Sequence, residues 1–113
     1  MHELGAITNI LKTVERVMAE ENLTQVDTIV LQVGELSGVV PSLIEECYPA
    51  AVFQTPFENT RLELERIPGM ARCNACGAEY DVFKHKFKCP ECGSLDMTPL
   101  SGREFLIKEI HAT

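Results

Sequence analysis

A chain of 113 residues with 45% hydrophobic side chains is sized for one compact domain or a small domain carrying a smaller module, and its composition excludes disorder as a whole. The net charge of −7 is uneven: residues 1–69 hold 11 acidic and 4 basic side chains, whereas residues 70–113 hold 6 of each. Neither part has the basic excess that neutralising several phosphates requires, which argues against nucleic-acid partners.

No apolar run reaches the ~18–20 residues that span a bilayer, so no membrane association is expected. The start Met1-His2-Glu3-Leu4 lacks a basic stretch followed by an apolar core, so no signal peptide is expected either. Of five cysteines, four fall in two C-x-x-C pairs and Cys47 stands alone. An odd count with close pairs suits metal binding in a reducing compartment better than a secreted disulfide framework, and a cytoplasmic location is expected.

In chain order, apolar Ile7, Ile10, Leu11, Val14, Val17 and Met18 recur at three- and four-residue steps between Leu4 and Asn22, with Lys12, Glu15, Arg16 and Glu20 opposite. This predicts an amphipathic helix. Asn22 to Gln25 forms its exit, and Val26 to Val33 is apolar and β-branched enough for a buried strand. Gly34 and Ser37-Gly38 end that strand. Pro41 is placed as the first residue of a second helix, followed by apolar Leu43, Ile44, Cys47 and Tyr48. Pro49 is expected to kink or interrupt it before Ala50 to Phe53.

Thr60 to Ile67 alternates strictly and reads as a strand with one wet face. Pro68-Gly69 closes it. After the cysteine module and the stretch from Pro99 to Gly102, Arg103 to His111 is again strand-like and is expected to return to the first sheet. The fold class is therefore α+β: a small mixed sheet with two helices, plus a zinc-ribbon-like module.

The module rests on Cys73-Asn74-Ala75-Cys76-Gly77 and Cys89-Pro90-Glu91-Cys92-Gly93, two matching knuckles with twelve residues between Cys76 and Cys89. Two residues between cysteines let both sulfurs meet one metal, and the glycine after each second cysteine permits the positive φ of the tight turn. Four thiolates give the closed tetrahedron of structural zinc. A rubredoxin-like iron site competes, but the chain has no Trp and the spacing is short for it. Catalytic zinc is disfavoured because four cysteines leave no open position for water. Tyr80, Val82, Phe83 and Phe87 are expected to cover the metal in place of a larger core. Lys84-His85-Lys86-Phe87-Lys88 reads as a solvated hairpin tip in preference to a nucleic-acid patch.

The amino terminus offers different chemistry. Histidine is bulky, so Met1 is expected to be retained with a free α-amine. That amine, the amide nitrogen of His2 and its imidazole form fused chelate rings, and three planar nitrogens suit square-planar Ni(II) or Cu(II). Glu3 adjoins them and offers an oxygen for the fourth position.

The Met1-His2-Glu3-Leu4 start, the helix behind it, the Gly34-Glu35-Leu36-Ser37 turn and the two knuckles together resemble the hydrogenase nickel-incorporation proteins of the HypA/HybF family, over nearly the whole chain. The resemblance implies a nickel metallochaperone for [NiFe]-hydrogenase maturation, in which His2 is the essential nickel ligand and Cys73, Cys76, Cys89 and Cys92 hold structural zinc. It also implies a partner GTPase and delivery to the hydrogenase large-subunit precursor; some members serve urease, which adds urease maturation proteins as candidate partners. The implied division is a nickel-binding α/β domain of residues 1–69 and 101–113 and a zinc-binding domain of residues 70–100. One departure is Gly5, where a serine or threonine cap is expected.

Cys47 is expected as a buried structural thiol, His111 as exposed, and His85 as lying in the zinc hairpin without reaching a metal. No nucleophile–base signature, phosphate-binding glycine loop or cofactor fingerprint is present, so catalysis is not expected. The alternative class is a zinc-ribbon adaptor or nucleic-acid-binding module whose amino terminus is inert.

Overall fold

The computed structural model describes residues 2–113, with His2 described by its backbone alone. The first helix, α1, spans His2–Glu20 and buries Ile7, Leu11 and Val14 along one stripe, leaving Lys12, Glu15, Arg16 and Glu20 exposed. It ends where expected: Asn22 turns to a φ of 54°, and the Leu23 N–H reaches back to the Met18 carbonyl at 2.9 Å, closing a left-handed cap. Its start differs. Because the helix begins at His2, Gly5 is an interior residue and not a cap position, so the missing serine or threonine is no defect there. Gly5 instead carries the entropic cost of glycine in a helix, about 0.5–1 kcal/mol against alanine.

The strand β1, Val26–Gly34, is buried on both faces because it is central. The second helix, α2, spans Pro41–Val52, and Pro41 occupies its first turn. Pro49 does not interrupt it: the helix continues to Val52, which is buried in the core, and the proline removes only its own N–H from the last turns. The Tyr48 hydroxyl donates to the Thr60 carbonyl at 2.8 Å, and the Thr60 hydroxyl donates to the Val26 carbonyl at 2.7 Å, tying α2 to the sheet. Gln54, with φ 57°, then turns the chain so that Phe57 fills the core while Phe53 is left exposed.

Strand β2, Arg61–Ile67, pairs parallel with β1, and Leu62 and Leu64 lie beside Ile29 and Leu31. The chain next forms β3 (Met70–Cys73), β4 (Glu79–Asp81) and β5 (Met97–Pro99), an antiparallel sheet ordered β4-β3-β5. Strand β6, Phe105–Ala112, returns and pairs antiparallel with β1, so the first sheet is mixed in the order β2-β1-β6. Each sheet has its own buried cluster. The larger joins α1, α2 and the first sheet; the smaller contains Ala71, Cys73, Tyr80, Val82 and Cys89.

Two chain crossings connect the sheets, one through Gly69 and one through Gly102, and the turn that leaves β1 at Gly34 packs against them, so that a glycine stands at each point of contact. A Cβ on Gly34 would lie 1.9 Å from the Gly102 carbonyl oxygen, and one on Gly102, whose φ is 97°, would lie 2.6 Å from the Gly69 Cα. The crossings are laced together: the Glu35 N–H donates to Ile67 O at 2.9 Å, Leu36 N–H to Gly102 O at 2.7 Å, and Gly69 N–H to the Glu35 carboxylate at 3.2 Å. Leu36 also packs on the smaller cluster. Gly34→Ala therefore forces backbone against backbone, and a loss of about 3 kcal/mol is expected, at the upper end of overpacking costs. By contrast Gly5→Ala, with nothing within 4 Å of the added Cβ, is expected to stabilise by up to about 1 kcal/mol. Denaturant unfolding of both variants checks this pair; equal midpoints would contradict it.

Candidate metal centre

Among the described residues, Cys73, Cys76, Cys89 and Cys92 form the one group of metal-ligating side chains that converges, with all four sulfurs within 4.8 Å of one another. Each knuckle is built by the same backbone device. Cys73 accepts from the Gly77 N–H at 2.9 Å and donates its own N–H to the Ala78 carbonyl at 2.8 Å; Cys89 accepts from Gly93 at 2.9 Å and donates to Ser94 at 3.0 Å. Gly77 and Gly93 have φ of 81° and 77°, the left-handed turn their position requires. The knuckles are joined outside the sulfurs by Asn74, which donates to the Asp96 carboxylate at 2.9 Å and accepts from the Thr98 hydroxyl at 2.9 Å.

Sulfur–sulfur separations of 3.6 Å link Cys73 to Cys92 and Cys76 to Cys89. A zinc–sulfur bond of about 2.3 Å gives a tetrahedron with edges of about 3.8 Å, so the donor set fits a four-coordinate ion. The protonation pattern points the same way. The Cys76 N–H, then that of Ala75, bring the Cys73 thiol down to about 7 against the opposition of burial. At Cys76 the Ala78 N–H works downward, but the Cys89 thiol, burial and the other sulfurs outweigh it and push the group up to about 12. Cys92 is likewise raised: the Ser94 N–H lowers it, and the Cys73 sulfur, burial and Cys89 win. The neighbouring sulfurs thus oppose the ionisation of Cys76 and Cys92, and a divalent cation among them reverses that balance.

Tyr80 and Val82 are buried against the cysteines, as the sequence suggests. Phe83 and Phe87 are not: they are 47% and 44% exposed and pack on each other edge to face at 5.1 Å. The cause is the loop backbone. The Asp81 carboxylate accepts from the N–H groups of Phe83 and Lys84 at 3.1 Å each, and Lys86 and Phe87 both take left-handed φ, 53° and 64°. For non-glycine residues that costs about 1–2 kcal/mol each. His85 sits edge-on to Tyr80 and is exposed, away from the sulfurs; His111 is exposed beside Glu109; Cys47 is half-buried on the core side of α2.

Met1 and the His2 side chain, expected to bind nickel, lie outside the described residues. Glu3 is half-buried, and its carboxylate accepts from the Val40 N–H at 3.4 Å. Val40 is the N-cap of α2 and supplies no capping side chain, so Glu3, reaching across from α1, provides the acceptor that α2 lacks locally. Sequence reasoning missed this contact, the glycine junction and the Asn74 network. The only signal was the placing of Gly69 and Gly102 at the boundaries of the cysteine module and of Gly34 at the end of β1.

Comparison with known proteins agrees with the geometry. The family model described as "Hydrogenase/urease nickel incorporation, metallochaperone, hypA" matches residues 1–112. The hydrogenase maturation factor HypA of Geobacter metallireducens is 36% identical over 110 residues, covering 97% of each chain. Its Streptomyces avermitilis counterpart is 38% identical over 113 residues, covering 98% of this chain and 86% of that one. The solution structure of the Ni metallochaperone HypA from Helicobacter pylori superposes with a TM-score of 0.66 at 14% identity, over 97% of this chain and 96% of that one. Cysteine tetrahedron, mixed sheet and full-length match converge: this chain belongs to the HypA family of hydrogenase and urease nickel-incorporation metallochaperones.

Proposed function

We propose that this chain carries Ni(II) on its amino terminus, through the α-amine of Met1 and the amide and imidazole nitrogens of His2, and delivers it to the large-subunit precursor of [NiFe]-hydrogenase. The observation that carries this reading is the family match, which begins at residue 1 and runs to 112. A second supports it. The helix begins at His2, and the first four N–H groups of a helix have no partner within it, so the His2 amide can become a ligand without breaking a hydrogen bond of the helix. The Glu3 carboxylate accepts the Val40 N–H on one oxygen, which leaves its second oxygen for the role of fourth donor.

In the same reading Cys73, Cys76, Cys89 and Cys92 hold structural Zn(II), residues 70–100 form the zinc-binding domain, and residues 1–69 with 101–113 form the nickel-binding one. The protein transfers its metal without catalysing a reaction. It works in the cytoplasm, where thiols stay reduced, with a maturation GTPase as partner and urease maturation as a further client route.

The test is a metal count on protein with an unmodified amino terminus, verified by mass spectrometry. One tight zinc and one exchangeable nickel per chain are expected; zinc alone would leave the adaptor reading, and a red iron centre the rubredoxin one. The pH dependence is equally specific. An α-amine titrates near ~8 and an imidazole near ~6.5, and both must lose protons to bind. Lower pH restores those protons, so nickel affinity is expected to fall by at least about tenfold per unit from pH ~7.5 to ~6 while zinc stays bound. A flat isothermal titration series over that range would require other ligands.

A further inference from the structure

The exposed aromatic pair of the cysteine module is displayed by a wired loop. Besides the two bonds to Asp81, the Phe87 N–H donates to the Val82 carbonyl at 2.8 Å and the Lys88 N–H to His85 at 3.0 Å, so the left-handed pair Lys86-Phe87 is held in place. An open cleft of about 450 Å³ is lined by Phe83 from the cysteine module and by Val39, Val40 and Pro41, which lead into α2. Val40 is 45% exposed there. The cleft thus lies between the two sheets, and it adjoins the start of α1, because Val40 is the residue that meets Glu3.

Charge at this place runs against the rest of the molecule. Arg66 lines the cleft, Lys84, Lys86 and Lys88 interleave with the two phenylalanines, and none of the four takes part in an ion pair among the described residues. Three carboxylates stand at this place too, and each accepts from backbone N–H groups: Glu35 in the lining from Gly69, Asp81 under the loop from Phe83 and Lys84, and Glu3 from Val40. A basic, aromatic patch on a chain of net charge −7 attracts a short acidic segment within a Debye length of ~8 Å, while the whole chain repels an extended polyanion. The concavity favours one inserted side chain over a flat bilayer.

We propose that this cleft is a protein-docking site for an acidic segment carrying a bulky apolar residue. The apolar side chain enters beside Phe83, Val40 and Pro41, and carboxylates on either side meet Arg66 and the lysines. The inference goes beyond the nickel reading and holds whichever metal the amino terminus carries.

The probe is an acetylated twelve-residue peptide with a central Leu-Phe pair flanked by Glu and Asp, titrated into the zinc-loaded full chain and followed by amide NMR shifts. Its lysine-flanked analogue, phosphatidylserine–phosphatidylcholine vesicles and oligo-thymidine are run beside it. The acidic peptide is expected to shift the amides of Val39, Val40 and residues 83–87. Phe83→Ala and Val40→Asp in the lining should each weaken it at least tenfold with zinc content unchanged, and Lys84→Glu with Lys86→Glu should invert the preference towards the lysine peptide. Acidic-peptide shifts absent from the cleft, unchanged affinity in both lining variants, or tighter binding of vesicles or oligonucleotide would overturn the proposal.

Discussion

Cys73→Ala or Cys92→Ala is expected to abolish zinc binding and to unfold residues 70–100 while leaving the first sheet and its helices largely formed. The second sheet has strands of 4, 3 and 3 residues, too short to be stable alone. Its buried cluster is five residues, two of which are the proposed metal ligands Cys73 and Cys89. Remove the metal, and Ala71, Tyr80 and Val82 are left to hold a module whose loop carries two left-handed non-glycine residues. Structural zinc contributes on the order of 10–16 kcal/mol to such small modules, far more than three side chains recover.

The larger cluster has its own apolar faces on α1, α2 and β1, so it survives in part. Even so, the glycine junction transmits some of the loss, because the Leu36 N–H and the Glu35 carboxylate hold the two crossings that enter and leave the module. Zinc stoichiometry together with hydrogen exchange resolved along the chain reads both effects. Amides of residues 70–100 should exchange freely, and those of β1 should stay protected. Full zinc occupancy in either variant would rule out the four-cysteine site.

What could be read from the chain before its structure depended on the range of the interaction concerned. The stripe Ile7, Leu11, Val14 and the alternation through β2 are periodic within one element, so they announce their own buried faces. The knuckles are legible for the same reason: two cysteines three apart, with glycine next, form a metal corner almost independently of the rest. Phe57 is different. Its neighbours Thr55, Pro56 and Glu58 suggest a loop, yet it is among the largest fully buried side chains, because the turn at Gln54 folds it back onto the core.

Pro49 misleads in the opposite direction. A local rule predicts a break, but α2 there is within four residues of its end and the burial of Val52 outweighs one lost hydrogen bond. The outward turn of Phe83 and Phe87 was illegible because it depends on the Asp81 side chain capping a left-handed loop, which no hydropathy pattern records. The Glu3–Val40 contact spans 37 residues and has no periodic signature at all.

Inserting one glycine before Met1 is expected to produce a protein that binds nickel more tightly and delivers it less. With histidine second, the chain supplies an amine, one amide nitrogen and an imidazole. The fourth position of a square plane then stays open to Glu3, another side chain or the recipient. An incomplete chelate is opened by an incoming ligand, which keeps the metal transferable. With histidine third, an amine, two amide nitrogens and an imidazole complete the plane, and no position remains for a recipient to enter. The helix start accommodates either arrangement, since the leading N–H groups of α1 have no acceptor within the helix. His2→Ala, by contrast, removes the imidazole and is expected to lose the site, weakening nickel affinity by a hundredfold or more. Both variants should keep full zinc, because the four cysteines converge on one another within the module of the second sheet and share no ligand with the amino terminus. Nickel affinity is measured by competition with a chelator, and delivery by hydrogenase activity in cells carrying each variant. Tight binding with normal hydrogenase activity in the glycine-extended protein would show that an open coordination position is not what makes nickel transferable. Wild-type affinity together with full hydrogenase activity in His2→Ala would remove the amino terminus from the mechanism altogether.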